Sequence, residues 1–187
     1  MTTNSFSDER CKNISENLKL IREKICDSAV KSGRNYEDIK LMAVTKTVPV
    51  EYINYSIDNC GIDLIGENKV QEFLMKEPEL NLEKCKAHLI GHLQTNKLKM
   101  VLPYVSLVQS VDSIRLLEAI DKWGAANGMV INVLLECHIA AEESKQGFSE
   151  EELADLLSSD MHYKNVRICG LMGMATFTDD VDVVRAD

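Results

Sequence analysis

The feature that most constrains this chain is an alternation repeated six times: a short apolar run, then a segment with helical spacing. A continuous apolar run suits a strand covered on both faces, and recurrence at steps of three and four suits a helix with one buried stripe. The first run is "IKLMAVTK" (39–46), followed by the stripe Val50, Ile53 and Ile57, which Pro49 opens and Gly61 closes. "DLIGEN" (63–68) precedes the helical "KVQEFLMKEPEL", and "AHLIGHL" (87–93) precedes "TNKLKMVL". "VSLVQSVDS" (105–113) feeds a helix from Ile114 to Asn127, with Ser113 as N-cap and Gly128 as stop. "MVINVLLECHI" (129–139) is followed by a capping-box pair, Ser149 and Glu152, and "VRICGLMGMATF" (166–177) is the sixth run.

Strands separated by one helix each imply right-handed βαβ units and a parallel sheet, so the fold class is α/β. An open doubly wound sheet and a (β/α)8 barrel of the TIM type both fit. Ahead of the first run, Ile14, Leu18, Ile21, Ile25 and Ala29 recur at helical spacing up to Gly33. Residues 1–33 therefore read as a leading helix of the same domain. With no repeat, low-complexity segment or Pro/Gly/Ser linker, the chain reads as one domain over 1–187. A barrel of this type takes about 250 residues and eight strands, whereas the count here stops at six, before "DDVDVVRAD". The expectation is an incomplete barrel, truncated at its C-terminal side, because an unclosed parallel sheet leaves two unpaired edges.

Composition narrows the partners. A net charge of −9 argues against general nucleic-acid binding, which needs a clustered basic surface. No apolar run approaches the ~20 residues of a membrane span, and "MTTNSFSDERCKN" lacks a signal-peptide core. Six cysteines occur singly, with no C-x-x-C pair, and read as reduced thiols of a cytoplasmic protein. A small molecule is the expected partner.

Ligands of parallel α/β folds collect at the C-terminal ends of strands, and Lys46 ends the first run there. In a partly desolvated pocket its amine would be available to form a Schiff base with a carbonyl; the alternative is a lysine that snorkels into solvent. Gly66 and Asn68 end the second run, where glycine permits close approach and the amide offers a donor and an acceptor. Alternatively, Glu67 and Asn68 begin the next helix, with Asn68 as its cap. His88 and His92 share a face if both lie on a strand, but no third ligand is marked by spacing, so no metal site is expected. His88 reads as a packed strand residue and His92 as a mouth residue. Lys145, in the loop "EESKQGFSEEE", either meets an aldehyde or phosphate or is simply solvated. Met172 and Met174 read as barrel core.

In combination, "AVTKTVPVE", "GENKVQE", "HLIGHLQTNK", "SVDS", "EESKQGFS" and "GLMGMATF" resemble, in order and spacing, the pyridoxal phosphate homeostasis protein family. The resemblance implies a (β/α)8 barrel like the alanine racemase N-terminal domain. It also implies pyridoxal 5′-phosphate carried as a Schiff base on Lys46, with Asn68 beside the cofactor ring. His88, Ser110 and Met172 match family positions that face inward or toward the mouth, and Lys145 matches a loop lysine that receives or hands over cofactor. No catalytic residue is implied: the family points to intracellular cofactor homeostasis by a monomer that serves client enzymes. A racemase-like enzyme of the same fold and a Schiff-base aldolase are the alternatives. The family's later phosphate-holding motifs, of "S-M-G-M-S" and "G-S-T-x-V-R-I-G" type, do not occur here. Weak cofactor binding by this chain alone is therefore expected.

Overall fold

The computed structural model describes residues 7–139, 147–158 and 162–186. The chain divides into two compact units, Met1–Glu67 with Glu72–Ala87 and Asn68–Gln71 with His88–Asp187. All the strand pairings described are parallel.

The first unit begins with helix α1 (Asp8–Lys31), capped by the Ser7 side chain, which accepts from the Arg10 N–H. Its expected apolar stripe is only partly covered. Ala29 is buried, Ile14, Leu18 and Ile25 are half-buried, and Ile21 is exposed. Strand β1 (Ala43–Val44) pairs with β2 (Leu64–Glu67), and α2 (Val50–Cys60) lies between them in sequence. Pro49 is the N-cap of α2, and Gly61 ends the helix in the left-handed conformation at φ 63°. Tyr52, Ile53 and Ile57 are the buried face of α2.

The first apolar run does not form a strand covered on both faces. Ala43 is half-buried and Val44 is exposed, because β1 stands at the end of the strand order and hydrogen-bonds only to β2 among the described residues. In β2, by contrast, all four residues are buried. Helix α3 (Val70–Lys76) and strand β3 (Lys86–Leu89) each contribute residues to both units.

In the second unit the strand order is β3, β4 (Leu107–Val111), β5 (Ile131–Cys137), β6 (Val166–Gly173). The short α4 (Leu98–Val101) lies between β3 and β4 in sequence, α5 (Ile114–Asn127) between β4 and β5, and α6 (Glu150–Ser158) between β5 and β6. Helix α7 (Val181–Ala186) follows β6. Ser113 caps α5 by accepting from the Leu116 N–H, and Gly128 ends it at φ 65°. The Ser149/Glu152 box forms as expected: the Glu152 N–H donates to Ser149 Oγ at 3.2 Å, and the Ser149 N–H to Glu152 Oε2 at 2.8 Å. Leu89, Val108, Leu117, Ile120, Val133 and Leu135 are fully buried, each contributing about 1.5–3 kcal/mol.

Strand β6 departs from the expectation of barrel core. Met172 is half-buried, and Met174, beyond the strand end, is 59% exposed. The reason matches that for β1: β6 is last in the order, and Leu171 and Ile168 are also exposed. No helix of the described residues is long and apolar enough to cross a membrane.

Candidate functional site

In the first unit, the chemistry gathers where β1 ends. Thr45 is buried; its N–H donates to the Gly66 carbonyl at 3.0 Å, and its hydroxyl donates to Glu67 Oε1 at 2.8 Å. Glu67 is 1% exposed, a carboxylate at the end of an otherwise apolar strand. Burying such a group is costly unless a cation and hydrogen bonds accompany it. Lys76 supplies the cation: its Nζ donates to Glu67 Oε1 at 3.0 Å, to Glu72 Oε1 at 2.7 Å and to the Thr45 carbonyl at 2.9 Å. The Thr47 N–H donates to the same Glu72 oxygen, and the Val48 N–H closes a turn on the Thr45 carbonyl at 3.0 Å.

Lys46 is the residue inside that turn. Its backbone is flanked by fixed peptide groups, and its side chain is exposed, not set in the partly desolvated pocket that the strand-end position suggested. Its ammonium forms no hydrogen bond or ion pair among the described residues. A primary amine that is exposed and has no partner among the described residues is accessible to an aldehyde and, in its neutral form, is the nucleophile that a Schiff base requires. On that ground the residues present fit pyridoxal phosphate.

The second unit builds its strand ends differently. Asn68 packs so tightly against Gly91 that a Cβ at 91 would lie 2.2 Å from both the Asn68 carbonyl oxygen and Oδ1. Ser110, buried in β4, donates from Oγ to the Gly91 carbonyl at 2.6 Å. Asn68 and Ser110 are thus brought to one glycine. His88 is half-buried and its Nδ1 accepts from Gln109 Nε2 at 2.9 Å, as a packed strand histidine would.

His92 lies beyond the end of β3, so the two histidines do not share a strand face; its Nδ1 meets Asp112 Oδ2 at 2.9 Å. Burial raises the Glu136 carboxyl above its ordinary value, with the Asp112 charge adding to the shift and His92 opposing it. Met172 sits opposite Glu136 in the β5–β6 register. Among the described residues no three His, Cys, Asp or Glu side chains come together as a metal site. Lys145 lies outside the described residues.

Sequence reasoning missed Glu67, Glu72 and Lys76, treating Glu67 only as the start of a helix. Two signals pointed to them: a carboxylate ending a buried apolar run, and an i, i+4 Glu/Lys pair on the following helix. Gly91, hidden inside "HLIGHL", carried no comparable signal.

The family model for the alanine racemase N-terminal domain matches residues 11–187. The pyridoxal phosphate homeostasis protein of Aquifex aeolicus (strain VF5) is 36% identical over 173 residues, covering 92% of this chain and 75% of that protein. A crystal structure of a Bifidobacterium adolescentis protein superposes with a TM-score of 0.85 at 31% identity, covering 98% of this chain and 78% of that one. PipY of Synechococcus elongatus PCC7942, in its structure with PLP bound, superposes with a TM-score of 0.66 at 29% identity, covering 82% and 72% of the two chains.

Proposed function

The chain belongs to the pyridoxal phosphate homeostasis protein family, within the wider alanine racemase N-terminal domain family, and on that premise we propose that it binds pyridoxal 5′-phosphate covalently through Lys46 to store and pass on the cofactor. The observation that carries this reading is the turn that presents Lys46 outward while both flanking peptide groups are held. When bound, the cofactor would supply an aldehyde to the Lys46 amine, with the aldehyde oxygen leaving as water. The rest falls to the protein: it orients the amine and leaves it open to the incoming aldehyde.

The proposal extends to Asn68, His88, Ser110 and Met172 as cofactor contacts and to Lys145 as a transfer residue, on the strength of the family motifs that they match. It also extends to a non-catalytic role, as the name of the Aquifex relative suggests, and to a cytoplasmic monomer serving client enzymes. Six free cysteines suit a reducing compartment.

Titration with pyridoxal phosphate tests the reading. A violet absorbance band should appear in the wild type and not in Lys46→Ala, and borohydride reduction followed by peptide mapping should mark Lys46. A wild type without the band even at saturating cofactor defeats the proposal. Amino-acid racemisation that depends on Lys46 would overturn the non-catalytic part.

A further inference from the structure

We propose that the ion network of buried Glu67 with half-buried Glu72 and Lys76 is the device that aims Lys46, acting through the backbone on either side of it. The inference rests on the reading that Lys46 is the attachment lysine. Glu67, Glu72 and Lys76 are positioning residues: they act on Lys46 and not on the cofactor.

The geometry is specific. Lys76 and Glu72 stand one turn apart on α3 and form an ion pair at 2.7 Å. One member of that pair grips the peptide group before Lys46, by donating from Nζ to the Thr45 carbonyl at 2.9 Å. The other grips the peptide group after it, by accepting the Thr47 N–H. A single side-chain pair therefore fixes both peptide planes that define the Lys46 Cα–Cβ direction. Thr47 is held at φ 63°, a left-handed conformation that β-branched residues rarely adopt. Strain of this kind persists only where the surroundings over-determine it.

Stability alone does not account for the network. Buried ion pairs are often no better than apolar side chains of similar volume. Here the arrangement also leaves Glu67 Oε2 buried without a hydrogen-bond partner among the described residues, a cost that optimised packing would avoid. What the network contributes that an apolar core cannot is two directed bonds to the peptide groups flanking Lys46, at the Thr45 carbonyl and the Thr47 N–H.

The test uses the full chain as wild type, Glu72→Ala and Glu72→Gln, at a temperature where circular dichroism shows each folded. Two readouts are taken: amide hydrogen exchange at Thr47 without cofactor, and the rate and affinity of violet-band formation with pyridoxal phosphate. Glu72→Ala should speed Thr47 exchange and weaken attachment about tenfold or more, as misplacement of a reacting group does. Glu72→Gln, which keeps an acceptor oxygen, should recover part of both. If Glu72→Ala does not fold, Glu72→Gln decides by the same readouts.

Unchanged Thr47 exchange in a folded variant overturns the proposal, and so does faster exchange with wild-type attachment. A wild type without a Lys46-dependent band defeats the functional reading and the positioning role with it. A normal wild-type band with unaffected variants defeats the positioning role alone.

Discussion

Two strand ends in this molecule are held by opposite means. The turn around Lys46 is fixed by charge: a carboxylate 1% exposed, a lysine that reaches three oxygens, and a second carboxylate on a backbone N–H. The Asn68–Gly91–Ser110 cluster is fixed by contact, with close approach at a glycine and one neutral hydrogen bond at 2.6 Å. Charge holds a group at a distance from its supports and leaves the side chain between them free. Contact leaves less such freedom, because the partners pack directly against one another. An amine that must stay reactive is served by the first arrangement, and an amide that must hold one orientation by the second.

The comparison breaks most sharply at Lys76. Replacing it with methionine keeps the length and removes the charge, leaving Glu67 buried with no counter-ion. A loss of about 3–5 kcal/mol is expected in denaturant unfolding. If Lys76→Met lost less than about 1 kcal/mol, the network would be acting like an exposed ion pair, and the charge half of the comparison would fail.

Gly91→Ala probes the contact half. The added Cβ would meet Asn68 oxygens at 2.2 Å, one of them backbone, so the neighbour cannot simply rotate away. A loss of about 3 kcal/mol is expected, at the upper end of ordinary overpacking, read from the shift of the unfolding midpoint at constant m-value. A neutral result would show that this strand end yields, and that close approach is not what orients Asn68.

Legibility in the sequence follows the same division between local and non-local causes. Helix ends were readable because their determinants lie within a few residues: Ser113, Gly128, Gly61 and the Ser149/Glu152 box all stand where local rules put them. The alternation of strand and helix along the chain was readable from the change of period, and so was the place of Lys46 just past the first strand. Burial was not, because whether Val44 or Met174 is covered depends on what packs against it, and identical apolar runs give no sign of that. The ion network escaped for a related reason: Glu67 closes a strand, while its partner Lys76 comes from the next helix. The individual signals are visible, but only the fold connects them.

A gentler change sharpens the charge half. Thr47→Gly relieves a left-handed residue at φ 63°. Relief of about 1–2 kcal/mol is partly offset by the greater freedom of glycine in the unfolded chain. A net gain of about 0.5–1 kcal/mol in unfolding free energy is expected. On the positioning argument, attachment at Lys46 should weaken even as stability rises. A loss of stability would mean that the Thr47 side chain contributes more than its backbone strain costs.

The smallest effect is expected at Glu136, and it is best read as a pH dependence. Burial raises this carboxyl above its ordinary value of 4.5, the Asp112 charge reinforces the shift, and His92 opposes it. Between 4.5 and the raised value the folded chain holds more protons at this site than the unfolded chain, so stability falls as pH rises through that window and is constant on either side. Glu136→Gln removes the titration. Its stability relative to wild type should therefore climb across the window and level off above it, as read from denaturant midpoints at a series of pH values. Asp112→Asn should narrow the window, since it removes one of the two causes, while burial alone keeps part of the shift. A Glu136→Gln difference that stays flat from about pH 4 through about pH 8 would show that folding shifts this carboxyl at no electrostatic cost. That outcome would remove Glu136 from the account of how these strand ends are ordered and sharpen the contrast with the Lys46 turn.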